Sequence, residues 1–257
     1  TTTIRLLMDF IRPTSGKAVI LGFDSQQESL DIRKNIGFIP SETFLYPKMT
    51  GMQFLKYMAN LKKGVDWKFV AELIERLQCD VSRSIQSLSR GNRQKISLIQ
   101  AFMKNPKLII MDEPTNGLDP LIQQEFHRIV EEVKQDGRTI FMSSHNIAEV
   151  EKVCDRVGII REGNLMAVES VKTLKERSLH KFEIHFSSLV KRNVFSSIEG
   201  ITELELRENI LRCTIRGRPN ALIKAASKYD IHKLVTWEPH LEEIFLSYYG
   251  ENDHREP

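Results

Sequence analysis

Apolar positions recur in two rhythms along this chain, and the change of rhythm divides it. The first part keeps helical spacings of three and four between short apolar runs. Ile4, Leu6, Leu7, Phe10 and Ile11 predict an opening helix closed by Pro13, Ser15 and Gly16. Residues 18–21 and Ile36–Ile39 read as short strands. Phe54, Leu55, Met58 and Leu61, then Val70, Leu73, Ile74 and Leu77, predict two helices interrupted at Gly64 and Asp66. Residues 108–111 form an unbroken apolar run, as in a parallel strand covered on both faces, and the run ends on Asp112 and Glu113. A helix over about 121–134 leads to a second such strand, 139–142, which ends on Ser143, Ser144 and His145. Residues 157–160 predict a third strand that turns through Glu162, Gly163 and Asn164 into a hairpin. Strands alternating with helices, with polar residues at the strand ends, define a doubly wound α/β core that binds its ligand at the carboxyl edge of the sheet.

Near Arg177 the period drops to two. Phe182, Ile184 and Phe186 alternate with Glu183 and His185, and Leu204 and Leu206 face Leu211, Cys213 and Ile215 across a Glu208-Asn209 turn. Helical spacing over 189–198 and 221–229, then a strand near 231–235, completes a βαββαβ order. Three segments are therefore expected: an α/β domain over 1–176, a small ferredoxin-like α+β domain over 177–250, and a polar tail over 251–257. Leu241, Ile244, Phe245 and Tyr248 mark a last helix within the second domain.

Composition narrows the function classes. Thirty-seven Lys and Arg against 34 Asp and Glu leave a net charge of +3 over 257 residues, too weak a field for nucleic-acid binding. No window is apolar enough to predict a membrane span, and the first thirty residues lack the pattern of a secretory leader. Cys79, Cys154 and Cys213 are odd in number and widely spaced, which predicts reduced thiols rather than a disulfide framework or zinc site.

The chemistry gathers in the first domain. Asp112 and Glu113 bring adjacent carboxylates to the ligand edge, and strand alternation would point them in opposite directions. A hard Mg²⁺ prefers such oxygens and brings phosphates with it. Upstream, Leu88-Ser89-Arg90-Gly91-Asn92-Arg93-Gln94-Lys95 precedes an apolar helix. Ser89 is placed as its N-cap, and Gly91 permits close backbone approach to an anion at the helix start. Downstream lie Gly117-Leu118-Asp119 and, at the next strand's end, His145.

In this order these segments resemble the nucleotide-binding subunit of an ATP-binding cassette (ABC) transporter. Residues 88–95 resemble the family signature, 108–113 the Walker B strand, and 117–119 the D-loop. Glu238-Pro239-His240-Leu241-Glu242-Glu243-Ile244-Phe245 resembles a C-terminal stretch of bacterial ABC-2 type exporter subunits. The resemblance implies a P-loop NTPase core with a helical subdomain that docks a membrane-spanning permease at the cytoplasmic face of the membrane. It implies ATP and Mg²⁺ as ligands. Thr1 would be the P-loop residue whose hydroxyl meets Mg²⁺, Thr2 would lie beside the phosphates, and Asp112 would hold Mg²⁺ through water. Glu113 would be the general base, and His145 would contact the γ-phosphate. Ser89 and Gly91 would grip the ATP of a second subunit in a head-to-tail homodimer or heterodimer, with Asp119 at the same interface.

Three departures from the family pattern stand out. Ser41 occupies the usual place of a glutamine, Arg90 that of the signature's first glycine, and Asn92 that of its glutamine. The P-loop glycines and lysine, and the strand before them, are expected upstream of Thr1, so the 257 residues alone are expected to be inactive. The alternatives are a soluble ABC-type ATPase and a catalytically silent paralogue. The first fits poorly, because the chain shows one cassette and no coiled coil; the second fits poorly, because Glu113 and His145 are both present.

Overall fold

The computed structural model describes residues 1–62, 64–177, 179–237, 241 and 245. They fall into two compact units that divide between His145 and Asn146.

The first unit runs α1 (Thr2–Leu7), β1 (Val19–Ile20), β2 (Phe23–Asp24), α2 (Ser29–Asn35), β3 (Ile36–Ile39), α3 (Gly51–Lys62), α4 (Trp67–Arg76), α5 (Arg90–Phe102), β4 (Leu108–Asp112), α6 (Pro120–Gln135) and β5 (Thr139–Ser143). β4 lies at the centre of a parallel sheet of order β3-β4-β5, in which Ile36 faces Leu108 and Asp112 faces Ser143. Its Ile109, Ile110 and Met111 are at most 1% exposed, which accounts for the lack of polar alternation along it. α5 packs closely on β3: a methyl group on Gly37 would come within 2.3 Å of the Ala101 carbonyl oxygen.

Local chemistry sets the helix ends. Asp66 caps α4 by accepting from the amides of Lys68 and Phe69. Asp119 caps α6 with Pro120 in the first turn, and Gly137 at φ +77° closes it, with its amide on the Lys134 carbonyl and that of Arg138 on Val133. The opening helix is shorter than its apolar spacing predicts. Asp9 adopts φ +54° and the Phe10 amide turns back to the Arg5 carbonyl, so Phe10 and Ile11 fall outside α1.

The second unit runs α7 (Ile147–Val153), β6 (Arg156–Arg161), β7 (Asn164–Ser170), α8 (Val171–Arg177), β8 (Leu179–Phe186), α9 (Asn193–Ser196), β9 (Ile201–Arg207), β10 (Ile210–Arg216), α10 (Asn220–Ala226) and β11 (Ile231–Trp237). β6 and β7 form an antiparallel hairpin whose turn residues, Glu162 and Gly163, both have positive φ. The four later strands form an antiparallel sheet of order β11-β8-β10-β9, the ferredoxin-like arrangement. Phe182, Ile184, Phe186, Leu211, Cys213 and Ile215 pack there against Phe195, Leu222 and Ala226. The helix expected over 189–198 shrinks to the single turn α9, because Asn193, Val194, Ser196 and Ser197 have weak helix propensity and Gly200 breaks the chain at φ +90°.

Of the expected last helix, Leu241 is buried with Val171 and Leu174. Most of the rest, including Ile244 and Tyr248, lies outside the described residues, as does the 251–257 tail. No helix among the described residues is long and apolar enough to cross a membrane. None of the three cysteines forms a disulfide. Burial pushes the Cys79 thiol up to about 12 and that of Cys213 up to about 11, so neither is a nucleophile near neutral pH.

Candidate nucleotide site

β4 and β5 end side by side and place the candidate residues in two adjoining groups. In the first, Asp112 is 2% exposed, and its Oδ1 accepts from the Thr1 hydroxyl at 3.0 Å and from the Ser143 hydroxyl. A carboxylate this deeply buried needs such donors. In the second group, His145 Nδ1 lies 2.8 Å from Glu113 Oε2. His145 itself is exposed, and Glu113 is about one-fifth exposed.

Strand alternation is not what separates the two carboxylates. The strand ends at Asp112, and Glu113 adopts φ +52° with its amide on the Ser143 carbonyl at 3.1 Å. A left-handed non-glycine residue costs roughly 1 kcal/mol or more, and such strain gathers at functional sites. Here it turns the carboxylate away from the strand and toward His145.

The signature segment does what its residue types require. Ser89 caps α5 by accepting from the Asn92 amide at 3.2 Å. Asn92 spans the Asp80 backbone, accepting from its amide at 2.8 Å and donating to its carbonyl at 2.6 Å. Gly91 sits against the D-loop, where an added methyl would lie 2.6 Å from the Gly117 carbonyl oxygen. Asp119 accepts from the Ile122 amide at 3.1 Å and remains exposed.

The structure thus brings Thr1 to Asp112 and His145 to Glu113, and it joins Gly91 to the loop that leads to Asp119. Ser41 is half-buried in the loop after β3, Thr2 is exposed at the start of α1, and neither side chain forms a hydrogen bond among the described residues.

Three further residues at the site were not singled out by sequence reasoning. Ser143 is one, placed by its register opposite Asp112. The others are Gln94 and Thr43: Gln94 is 6% exposed, donates to the Pro114 carbonyl at 2.8 Å and accepts from the Thr43 hydroxyl at 2.8 Å. Gln94 could have been found from its spacing, since it falls on the buried stripe of α5 with Ser97, Leu98 and Ala101.

A parallel sheet carrying adjacent carboxylates at its edge, a histidine on the next strand and a capped glycine-bearing helix beside them define a cassette ATPase of the P-loop class. The family model described as ABC transporter matches residues 1–116. The bacitracin transport ATP-binding protein BcrA of Bacillus licheniformis is 32% identical, over 97% of this chain and 84% of its own length. The chain belongs to the ABC transporter ATP-binding proteins. The ABC transporter ATP-binding protein all4389 of Nostoc sp. is 34% identical over 68% of this chain, and the match spans about half of that relative, 53%. A solved structure of the ATP-binding subunit of an ABC transporter superposes with a TM-score of 0.63 at 26% identity, covering 68% of this chain and 75% of the other.

Proposed function

We propose that the protein is the ATP-hydrolysing subunit of an ABC exporter. It works as a head-to-tail dimer at the cytoplasmic face of the membrane and drives transport through a separate membrane-spanning subunit. The observation that carries this reading is the contact of Glu113 with His145 beside the Thr1–Asp112–Ser143 cluster. The bacitracin transport relative, similar over nearly the whole chain, supports a role in transport.

The donor set fits Mg²⁺. Thr1 and Ser143 supply hydroxyls and Asp112 a carboxylate, all hard oxygens, and Asp112 uses only Oδ1 for its two bonds. Thr1 and Asp112 would hold the ion, which would supply positive charge against the phosphates of ATP. Glu113 takes the proton of the attacking water on its carboxylate. His145 orients that carboxylate through Nδ1 at the strand end where its ring can contact the γ-phosphate. Ser89 and the free amides at the start of α5, beside Gly91, bind the γ-phosphate of the partner's ATP, where the helix dipole favours the anion.

The test is ATP hydrolysis by the full-length protein reconstituted with its membrane subunit in liposomes. Turnover should require Mg²⁺, and an inactive, correctly assembled complex would overturn the reading.

A further inference from the structure

We infer that Gln94 is a positioning residue for hydrolysis: its carboxamide ties the loop after β3 to the Pro114 carbonyl, next to Glu113, so that the loop's position sets the rate of water attack. The inference rests on Glu113 being the general base.

Gln94 is a polar side chain on the core face of α5, where a buried amide must satisfy both of its ends. Its orientation is determined by chemistry. The Pro114 carbonyl is only an acceptor, so Nε2 must face it; a flipped amide would set two acceptors together. Oε1 is then left to accept from the Thr43 hydroxyl, which is where that hydroxyl lies.

The two partners have different roles. Pro114 follows Glu113 directly, and its carbonyl belongs to the turn that continues with the Asn116 amide on the Glu113 carbonyl at 3.2 Å and the Leu118 amide on Thr115 at 3.0 Å. On its other side Glu113 is pinned to Ser143. The strained φ of +52° is therefore held from both directions, and Gln94 is the side chain that anchors the downstream half. Thr43 lies two residues past Ser41, in the loop where the family usually carries a longer glutamine. Movement of the loop changes the hold on Gln94, and through the Pro114 carbonyl it changes the aim of the Glu113 carboxylate.

The test uses the full-length protein and reads kcat, KM for ATP and thermal stability together. Gln94→Met, similar in length but unable to make either bond, should lower kcat by about 10–100-fold while KM stays within about twofold, because small misplacements of a reacting group act on the chemical step. Thr43→Val should lower kcat by up to about tenfold, and Thr43→Ser, which keeps the hydroxyl, should restore it. The double variant Thr43→Val/Gln94→Met should be no slower than Gln94→Met alone, since both break one linkage. An amide that merely fills space would lower stability and leave kcat of the folded protein unchanged, and that result overturns the inference. Independent, multiplying effects overturn it as well. If Gln94→Met fails to fold, the Thr43 pair decides, and equal kcat for Thr43→Val and Thr43→Ser sinks the proposal. An inactive wild-type protein would instead defeat the general-base reading, and the inference with it.

Discussion

His145 Nδ1 lies 2.8 Å from Glu113 Oε2, although the two residues are 32 positions apart and sit at the ends of different strands. The contact depends on β4 and β5 ending together, with Asp112 opposite Ser143. It also depends on the left-handed turn at Glu113. Neither strand alone would bring the two side chains together.

Glu113→Gln tests the chemical half of this pair. The substitution keeps size and hydrogen bonding but removes the base, so turnover in the full-length protein should fall by about 10²–10⁴-fold with ATP binding preserved. An ATP-bound dimer should accumulate, visible by size exclusion with nucleotide present. Turnover near the wild-type rate would remove Glu113 from the mechanism.

Much of this arrangement was legible in the residues, and the limits have physical causes. β4 was plain because a strand buried on both faces has no polar alternation to confuse with a helix. In the later antiparallel sheet β8 was equally plain, because its buried Phe182, Ile184 and Phe186 alternate with less buried neighbours, whereas the short helices α7 and α8 were not predicted. α2 was missed, since a seven-residue helix that buries only Ile32 leaves no periodic trace. β2 was missed because two residues after Gly22 are too few to show a period. The carboxylates were found, but not how they diverge, because a positive φ at a glutamate has no signature in composition or spacing. Gln94 was passed over as part of a motif, when its place on a buried stripe was the informative fact.

Asp80 predicts a pH dependence. Its carboxylate accepts from the Ser82 hydroxyl and amide and from Arg83 Nε, which together lower its pKa to about 2. A carboxyl whose folded pKa is depressed stabilises the fold above its unfolded value, near 4, and loses that contribution as pH falls toward 2. Wild type should therefore be more stable than Asp80→Asn at pH 6, and the gap should close between about pH 4 and pH 2. Chemical denaturation of both proteins across that range checks it; a gap that stays constant contradicts the assignment.

Arg76 joins α4 to α6. Its Nε meets Glu125 at 2.6 Å, and Nη1 and Nη2 meet the two oxygens of Glu132 at 2.7 and 2.8 Å. The guanidinium is about one-fifth exposed, so this bidentate network is worth more than a typical surface pair. Arg76→Gln should cost about 1–2 kcal/mol. The midpoint of thermal unfolding should drop by roughly 2–8 °C, and by less in high salt. A shift under 1 °C at low salt would show the network to be energetically idle.

Gly91 bears on the proposed joining of two subunits. A methyl group there would lie 2.6 Å from the Gly117 carbonyl oxygen, a backbone atom that cannot rotate aside. Gly117 in turn holds φ +83° beside the exposed Arg90 side chain. In Gly91→Ala the signature helix and the D-loop must separate, at a cost of about 1–3 kcal/mol typical of overpacking. Both segments face the proposed dimer interface, so ATP-driven dimerisation should weaken more than folding does. Gly158→Ala is the control, because its new methyl would meet only the Leu165 Cδ1 at 3.5 Å, an ordinary contact. Analytical ultracentrifugation with ATP should show Gly91→Ala as mainly monomer under conditions where wild type and Gly158→Ala dimerise. Equal dimerisation by all three would mean that the close packing of Gly91 on Gly117 serves the fold of one subunit and not the joining of two.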